Sequence, residues 1–410
     1  MNRKGILLIL DGLGDLPAPS LDGLTPLEAA NTPVMNRLAS AGFHGLVDPI
    51  GPGLVPNTHS GCGALMGVFP EELGLLKRGP VEASGAGQRL EPGDVAVRTN
   101  FATLDSENGR IVVLDRRAGR ITENTEELAS VLRGVDLGDG ITGSLWPTDQ
   151  HRCVLVLSGP GLDPGVSDTD PGDGKLPAGV KRCSADSGRG VLTAEKINRF
   201  IEIAHSTLKT HPVNLDRTRR GLLPANGIIT RGAGAGFSLR NAVTDKSLSA
   251  AVVAGCNTVI GLARTLGYEL KTDSRFTADA LTDVEAKLEA ALVALQVHDL
   301  VYVHIKAPDL FGHDHQPEGK RMFLERIDHA LRMLEAQPGL MIAIAADHST
   351  DCNSGSHTAD PVPAFFYAPS LSGQPAGASV DFGETACAVG NMPRQTSHQF
   401  LSRVLETLVN

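Results

Sequence analysis

The chain has 410 residues, 41% of them hydrophobic and 20% charged. That is enough for two to three domains at ~150 residues each and too apolar for a mainly disordered protein. With 37 Lys and Arg against 47 Asp and Glu, its net charge of −10 excludes holding nucleic acid by bulk electrostatics. No stretch reaches the ~18 apolar residues of a membrane span. The short apolar run after the basic start, Ile6–Leu10, is also too brief for a signal peptide. The 6 cysteines form no C-x-x-C pair and read as reduced, mostly buried thiols of a cytoplasmic protein.

Ile6–Leu10, stopping at Asp11-Gly12, suits a buried parallel strand with a carboxylate at its C-terminal end. Asn31-Thr32-Pro33 opens a helix, with Thr32 as N-cap and Pro33 at the first helical position. Residues 56–63, PNTHSGCG, precede the apolar stretch Ala64–Val68. They suit a loop presenting a hydroxyl at a helix N-terminus, where Thr58 and Ser60 both qualify.

Residues 78–189 are rich in Gly, Pro, Asp and Arg. Strand-like runs there are Arg110–Leu114 and Cys153–Leu157, with one helical run, Thr125–Leu132. This predicts a smaller α+β insert within a core formed by residues 1–77 and 190–410. Thr193–Leu208 is an amphipathic helix expected to lead back to the core, and Leu223–Thr230 the returning strand. The GAGAG run Gly232–Gly236 lacks the P-loop Lys-Ser/Thr and the dinucleotide-binding spacing, so it reads as a flexible loop.

Two further strands, Val301–Ile305 and Met341–Ala346, alternate with helices over Thr282–Gln296 and Lys320–Glu335. The alternation predicts an α/β fold with a mostly parallel sheet flanked by helices. In such sheets ligands bind at the carboxyl ends of strands, where Asp11, Asp309 and Asp347 all fall.

In Asp309-x-x-x-His313 a carboxylate and an imidazole face one side if the segment is helical, and a tight loop could also gather them. The pair Asp347-His348 follows a buried strand, and His357 stands in GSHTADPVP. Each residue alone reads as a cap, turn or hydrogen-bonded surface residue. Together with Asp11 they gather carboxylates and imidazoles along one sheet edge. That mixture suits a two-metal site for Zn²⁺ or Mn²⁺, and Mg²⁺ less well because of the imidazoles. Paired metals stabilise both attacking and leaving oxygens in phosphoryl transfer, so a nucleophile is expected beside them.

These residues resemble the archaeal-type, cofactor-independent phosphoglycerate mutases of the alkaline phosphatase superfamily. The likeness runs through GILLILDGLGDLP, LTPLEAANTPVMNRLASAG, RGPVEASGAG, GDVAVRTNFAT, DRRAGRI, HRCVLVLSGPGL and VSDTDP. It continues in LPANGIITRGAG, VHIKAPDLFGHD, AADHST and SHTADPVP. The resemblance implies an alkaline-phosphatase-like core binding two divalent metal ions, with the insert capping the substrate. One metal would be held by Asp11, Thr58, Asp347 and His348, the other by Asp309, His313 and His357. Thr58 would take the phosphoryl group of a phosphoglycerate and return it to the neighbouring oxygen, interconverting 3-phosphoglycerate and 2-phosphoglycerate.

The nucleophile loop departs from the family, which has Gly-Ser-Asp or Gly-Ser-Glu with a His four residues after the Ser. Counting back from Gly67 places Thr58 on the serine, His59 on the acid and Cys62 on the histidine. Ser60 is the second candidate if the loop is shifted by two. The departure sets the alternative: a phosphonyl or nucleotidyl transferase, or a phosphodiesterase, acting with a phosphoglycerate-like acceptor in phosphonate metabolism. A non-catalytic, metal-stabilised binding protein is the third reading. The substrate expected is a small phosphorylated acid, with no nucleic acid or membrane partner; the sequence leaves the oligomeric state open. Its carboxylate and phosphate call for Arg forks, for which Arg116, Arg120, His151 and Arg231 are candidates. Asp168 is the candidate base, and Lys306 a phosphate ligand or a carboxylate's partner.

Overall fold

The computed structural model describes residues 3–107, 110–172, 174–369 and 380–409. In chain order its first elements are β1 (Gly5–Leu10), α1 (Pro33–Ala41), β2 (Phe43–Asp48), α2 (Thr58–Leu65) and α3 (Arg78–Gly85). Next come β3 (Val95–Glu107), β4 (Arg110–Asp115), α4 (Thr125–Ser130), β5 (Val135–Asp136), β6 (Thr142–Pro147), β7 (Arg152–Ser158) and β8 (Ala178–Gly179). Then follow α5 (Val191–Lys209), α6 (Pro212–Arg219), β9 (Gly227–Ala235), β10 (Ala250–Val253), α7 (Asn257–Thr265), β11 (Glu269–Lys271) and α8 (Val284–Ala294). The last group is β12 (Leu300–Ile305), α9 (Ala307–His313), α10 (Pro317–Glu335), β13 (Met341–Ala345), β14 (Ser349–Asp351) and β15 (Ser356–Thr358). The chain closes with β16 (Val362–Tyr367), α11 (Glu384–Ala388), β17 (Gln395–Thr396) and α12 (Ser397–Val409).

These elements form two compact units, Met1–Gly74 with Leu239–Asn410, and Leu75–Ser238. The first contains an eight-stranded sheet in the order β11-β10-β12-β1-β13-β16-β2-β17. β1 lies parallel to both β12 and β13, and β12 parallel to β10. Every residue of β1 is buried, which explains its unbroken apolar sequence: a parallel strand covered on both faces has no side to leave polar. Antiparallel β16 turns the sheet towards β2.

The flanking helices follow the expected spacing. On α10, Phe323, Leu324, Ile327, Ala330, Leu331 and Leu334 make one buried stripe. Thr32 and Pro33 do start α1, but the Thr32 side chain makes no capping bond. The carboxylate of Asp328 accepts from the N–H groups of Val34 and Met35 instead, over 2.8–3.2 Å. A partner from α10 therefore satisfies the orphan donors of α1.

The second unit holds a seven-stranded sheet, with β3 at its middle pairing β7, β4 and β9 antiparallel. Its core gathers Ile197, Phe200, Ile201, Ala204 and Leu208 of α5 with Val97, Phe101 and Leu155. This places α5 and β9 differently from the sequence reading. Both pack within the second unit, which runs to Ser238 rather than ending at residue 189. The apolar face of α5 reported that a core existed, and its periodicity carried no record of which core. Nor is Gly232–Gly236 simply a loop: β9 extends to Ala235, and Gly234 and Ala235 pair with Ala96 and Val95.

Candidate active site

The neighbouring strands β12, β1 and β13 deliver polar groups at their carboxyl ends. β1 is followed by Asp11, β12 carries His304 and is followed by Lys306, and β13 leads to Asp347 and His348. On α9, Asp309 and His313 stand four residues apart. Asp347-His348 is followed by the hairpin β14–β15, in which Thr350 pairs opposite His357.

α2 brings in Thr58 at its first position. Its N-cap is Asn57, whose side chain accepts from the Ser60 N–H, while the Ser60 hydroxyl accepts from the Asn57 N–H and donates to the Asn57 carbonyl. Ser60 is thus occupied as a capping residue. Thr58 Oγ1 lies 3.5 Å from His348 Nε2 and accepts from Lys306 Nζ over 3.3 Å. Gly61 allows this approach, because a Cβ there would come within 1.9 Å of the Asp347 carbonyl oxygen.

Asp309 Oδ1 is the focus of one donor group: His313 Nε2 and His357 Nε2 each lie 3.4 Å from it. The Nδ1 of His313 meets the Gly355 carbonyl at 2.7 Å and that of His357 the Pro56 carbonyl at 3.1 Å. Carbonyls only accept, so both Nδ1 atoms carry hydrogen, and in the neutral imidazoles, the form that binds a metal, both Nε2 atoms present lone pairs. Two bare nitrogens and a carboxylate oxygen within 4.8 Å of one another fit a divalent cation. In the other group, His348 Nε2 lies 3.3 Å from Asp11 Oδ1 and 3.2 Å from Asp347 Oδ2, and Asp11, Asp309 and His348 also come within 4.8 Å.

Lys306 lies between the two groups. Its Nζ is 2.9 Å from Asp11 Oδ1 and 2.7 Å from Asp309 Oδ2. Burial, the largest influence, opposes the charged forms of both carboxylates, but the Lys306 ammonium together with the neighbouring histidines outweighs it and holds Asp11 and Asp309 below the usual carboxylate range. Burial likewise opposes the ammonium, which those carboxylates hold above the ordinary lysine range. Asp347, buried and beside charged Asp11, is pushed well up. Burial lowers the His304 and His348 imidazoles against the pull of Asp11.

Reading the sequence missed His304 and Thr350 as members of this neighbourhood, and placed Cys62 there only as the residue at the family's histidine. His304 meets Asp11 Oδ2 through Nε2 over 2.9 Å, and Cys62 Sγ donates to Asp347 Oδ2 over 3.5 Å. A histidine inside an otherwise apolar strand was the signal for His304. Asp11, Cys62 and His304 form a third close donor set.

In the second unit, Arg98 of β3 stands opposite Arg231 of β9 and Val154 of β7, and Asn100 stands opposite Arg152. Arg98 is only 2% exposed, and neither its Nε nor its Nη1 has a hydrogen-bond partner among the described residues. Burial, then Arg78 and Arg231, depress its guanidinium well below the ordinary range. His151 is buried, its imidazole pushed down to about 3 by burial and by Arg152 and Arg117. Asp168 is exposed and accepts from the Gly232 N–H over 2.8 Å. Arg120 is exposed too, in a left-handed backbone conformation. Arg116, the other candidate fork, pairs with Asp170 through two bonds of 2.7 Å. Arg98 was missed, although a charge within the strand run VAVRTNF was its signal.

A family model described as 2,3-bisphosphoglycerate-independent phosphoglycerate mutase matches residues 39–214. The mutase of that name from Methanopyrus kandleri is 42% identical over 370 residues, covering 88% of this chain and 87% of its own. The one from Archaeoglobus fulgidus is 40% identical, covering 87% of each. Among solved structures, a protein from Pyrococcus horikoshii aligns with a TM-score of 0.81 at 30% identity, covering 100% of this chain and 98% of its own. A cofactor-independent phosphoglycerate mutase from Thermoplasma acidophilum aligns with a TM-score of 0.65 at 31% identity, covering 100% of each.

Proposed function

The chain belongs to the 2,3-bisphosphoglycerate-independent phosphoglycerate mutases, and from that premise we propose that it interconverts 3-phosphoglycerate and 2-phosphoglycerate through phosphorylated Thr58. The relatives' shared description favours this over phosphonyl or nucleotidyl transfer. Asp11, Thr58, Asp347 and His348 would hold one divalent ion, and Asp309, His313 and His357 the other, with Mn²⁺ or Zn²⁺ matching the donors. When bound, such ions offset the charge of a phosphoryl group and ease ionisation of a nearby hydroxyl.

The observation that carries the reading is the placement of Thr58 Oγ1, 3.3 Å from Lys306 Nζ and 3.5 Å from His348 Nε2, while Ser60 is spent on its cap. At the first position of α2 a phosphoryl group on Thr58 meets the positive end of the helix dipole. Lys306 donates to the same oxygen and supplies charge to a phosphoryl group there. The second unit is the substrate-binding part in this proposal. Arg98, Arg120, Arg231 and neutral His151 would take the phosphoglycerate's anionic groups, and Asp168 would accept the proton of its hydroxyl.

Incubation with Mn²⁺ and 3-phosphoglycerate, with no bisphosphoglycerate added, tests the proposal. It requires 2-phosphoglycerate to appear. No product from protein carrying two bound ions would refute it.

A further inference from the structure

Thr350 is buried in β14 and belongs to neither donor group, yet it touches both. Its Oγ1 donates to Asp309 Oδ1 over 2.7 Å and meets His348 Nδ1 at 3.0 Å. A hydroxyl has one proton, and a carboxylate oxygen only accepts. Both contacts are satisfied together only when His348 Nδ1 carries hydrogen and donates to the Thr350 oxygen. That tautomer leaves His348 Nε2 with its lone pair towards Asp11 and Asp347.

The backbone around Thr350 is fixed as firmly. Its N–H donates to the Gly14 carbonyl over 2.9 Å, and its carbonyl accepts from Lys320 Nζ over 3.1 Å. Lys320 is fully buried and holds Asp15 Oδ2 at 2.7 Å and the Gly14 carbonyl at 3.2 Å, so this anchor reaches the loop after β1. Gly12, at φ +65°, leaves the space the hydroxyl uses, since a Cβ there would lie 2.6 Å from Thr350 Oγ1. Across the hairpin, Thr350 is the register partner of His357.

We propose that Thr350 is a positioning residue tying the two donor groups into one unit, its single hydroxyl orienting the imidazole of one and the carboxylate of the other. The inference rests on reading those groups as cation sites. Hydrogen bonds of this kind behind a ligand change metal affinity by about 10–100-fold when removed. Here one hydroxyl serves two ligands, so its loss weakens both sites and not one.

The test is calorimetric titration of the metal-free full chain with MnCl₂ alone. Wild type takes up two ions. Thr350→Val keeps the shape and loses the hydroxyl, and binds both ions about 10–100-fold more weakly. Thr350→Ser loses the methyl, keeps the hydroxyl and binds close to wild type. If Thr350→Val does not fold, the pair Thr350→Ala and Thr350→Ser asks the same question, since both lack the methyl. Unchanged affinities in the hydroxyl-free variant, or weakening at one site only, overturn this inference while the two-ion wild type stands. A wild-type chain that takes up no Mn²⁺ overturns the cation reading and this inference with it.

Discussion

Lys306 Nζ lies 2.9 Å from Asp11 Oδ1, a pairing of opposite charges at the ends of the neighbouring strands β12 and β1. Removing one partner of such a pair leaves an uncompensated charge, which costs about 3–5 kcal/mol when fully buried. Lys306→Met is therefore expected to lower stability by up to about that amount, since Asp309 loses the same ammonium. A divalent ion replaces the missing charge, so Mn²⁺ recovers more stability in the variant than in wild type. Urea melts with and without Mn²⁺ measure this. Equal gains in the two proteins would show that the ammonium and the ion do not serve the same carboxylates.

Thr58 and Ser60 separate cleanly by substitution. Thr58→Ala removes the hydroxyl facing Lys306 and His348, and turnover is expected to vanish with the fold retained. Ser60→Ala breaks the capping box with Asn57, a loss of about 1 kcal/mol of stability, and leaves turnover in place. Steady-state rates beside denaturant melts decide between them; a dead Ser60→Ala protein of normal stability would move the nucleophile.

That choice shows where the sequence was legible and where it stopped. The mainly apolar runs of β1, β12 and β13 marked buried parallel strands, and Asp11, Asp309 and Asp347 at or just after their carboxyl ends were legible from the sequence. The motif left both Thr58 and Ser60 qualified and counting back from Gly67 favoured Thr58, but that Ser60 is occupied depends on hydrogen bonding within the helix cap, which spacing does not carry. The pairing of Arg116 was hidden for a related reason. Asp170, its partner, lies 54 residues away, and only folding shows that the fork is closed. The helix α5 was visible from its period, but an amphipathic stripe does not name the core it faces.

Asp309 Oδ1 faces His313 Nε2, His357 Nε2 and the Thr350 hydroxyl at once. Asp309→Ala is expected to reduce bound metal from two ions to about one per chain and to abolish turnover. The sheet core does not depend on this side chain, so the fold survives. Elemental analysis of purified protein after Mn²⁺ loading checks it, and wild-type metal content in the variant would contradict the ligand assignment.

His151 predicts a pH dependence. Its imidazole titrates near 6.5 in the unfolded chain and at about 3 in the folded one, because burial and Arg152 oppose its charge. Between those values the unfolded state binds more protons, so this group's contribution is present above pH 6.5 and is lost as pH falls towards 3. At 1.36 kcal/mol per pH unit, the loss from pH 6.5 to pH 5 is at most about 2 kcal/mol. His151→Asn should flatten this part of the stability curve in urea melts. A variant whose stability falls as steeply as wild type over that range would show that other groups set the slope.

The central claim is tested most directly by mass spectrometry of the chain, acid-quenched during turnover with 3-phosphoglycerate and Mn²⁺. The account predicts that the peptide containing Thr58 gains one phosphoryl group, located on Thr58, and that none is gained by Thr58→Ala protein. Turnover with that peptide unmodified throughout, or with the group on Ser60, would contradict it.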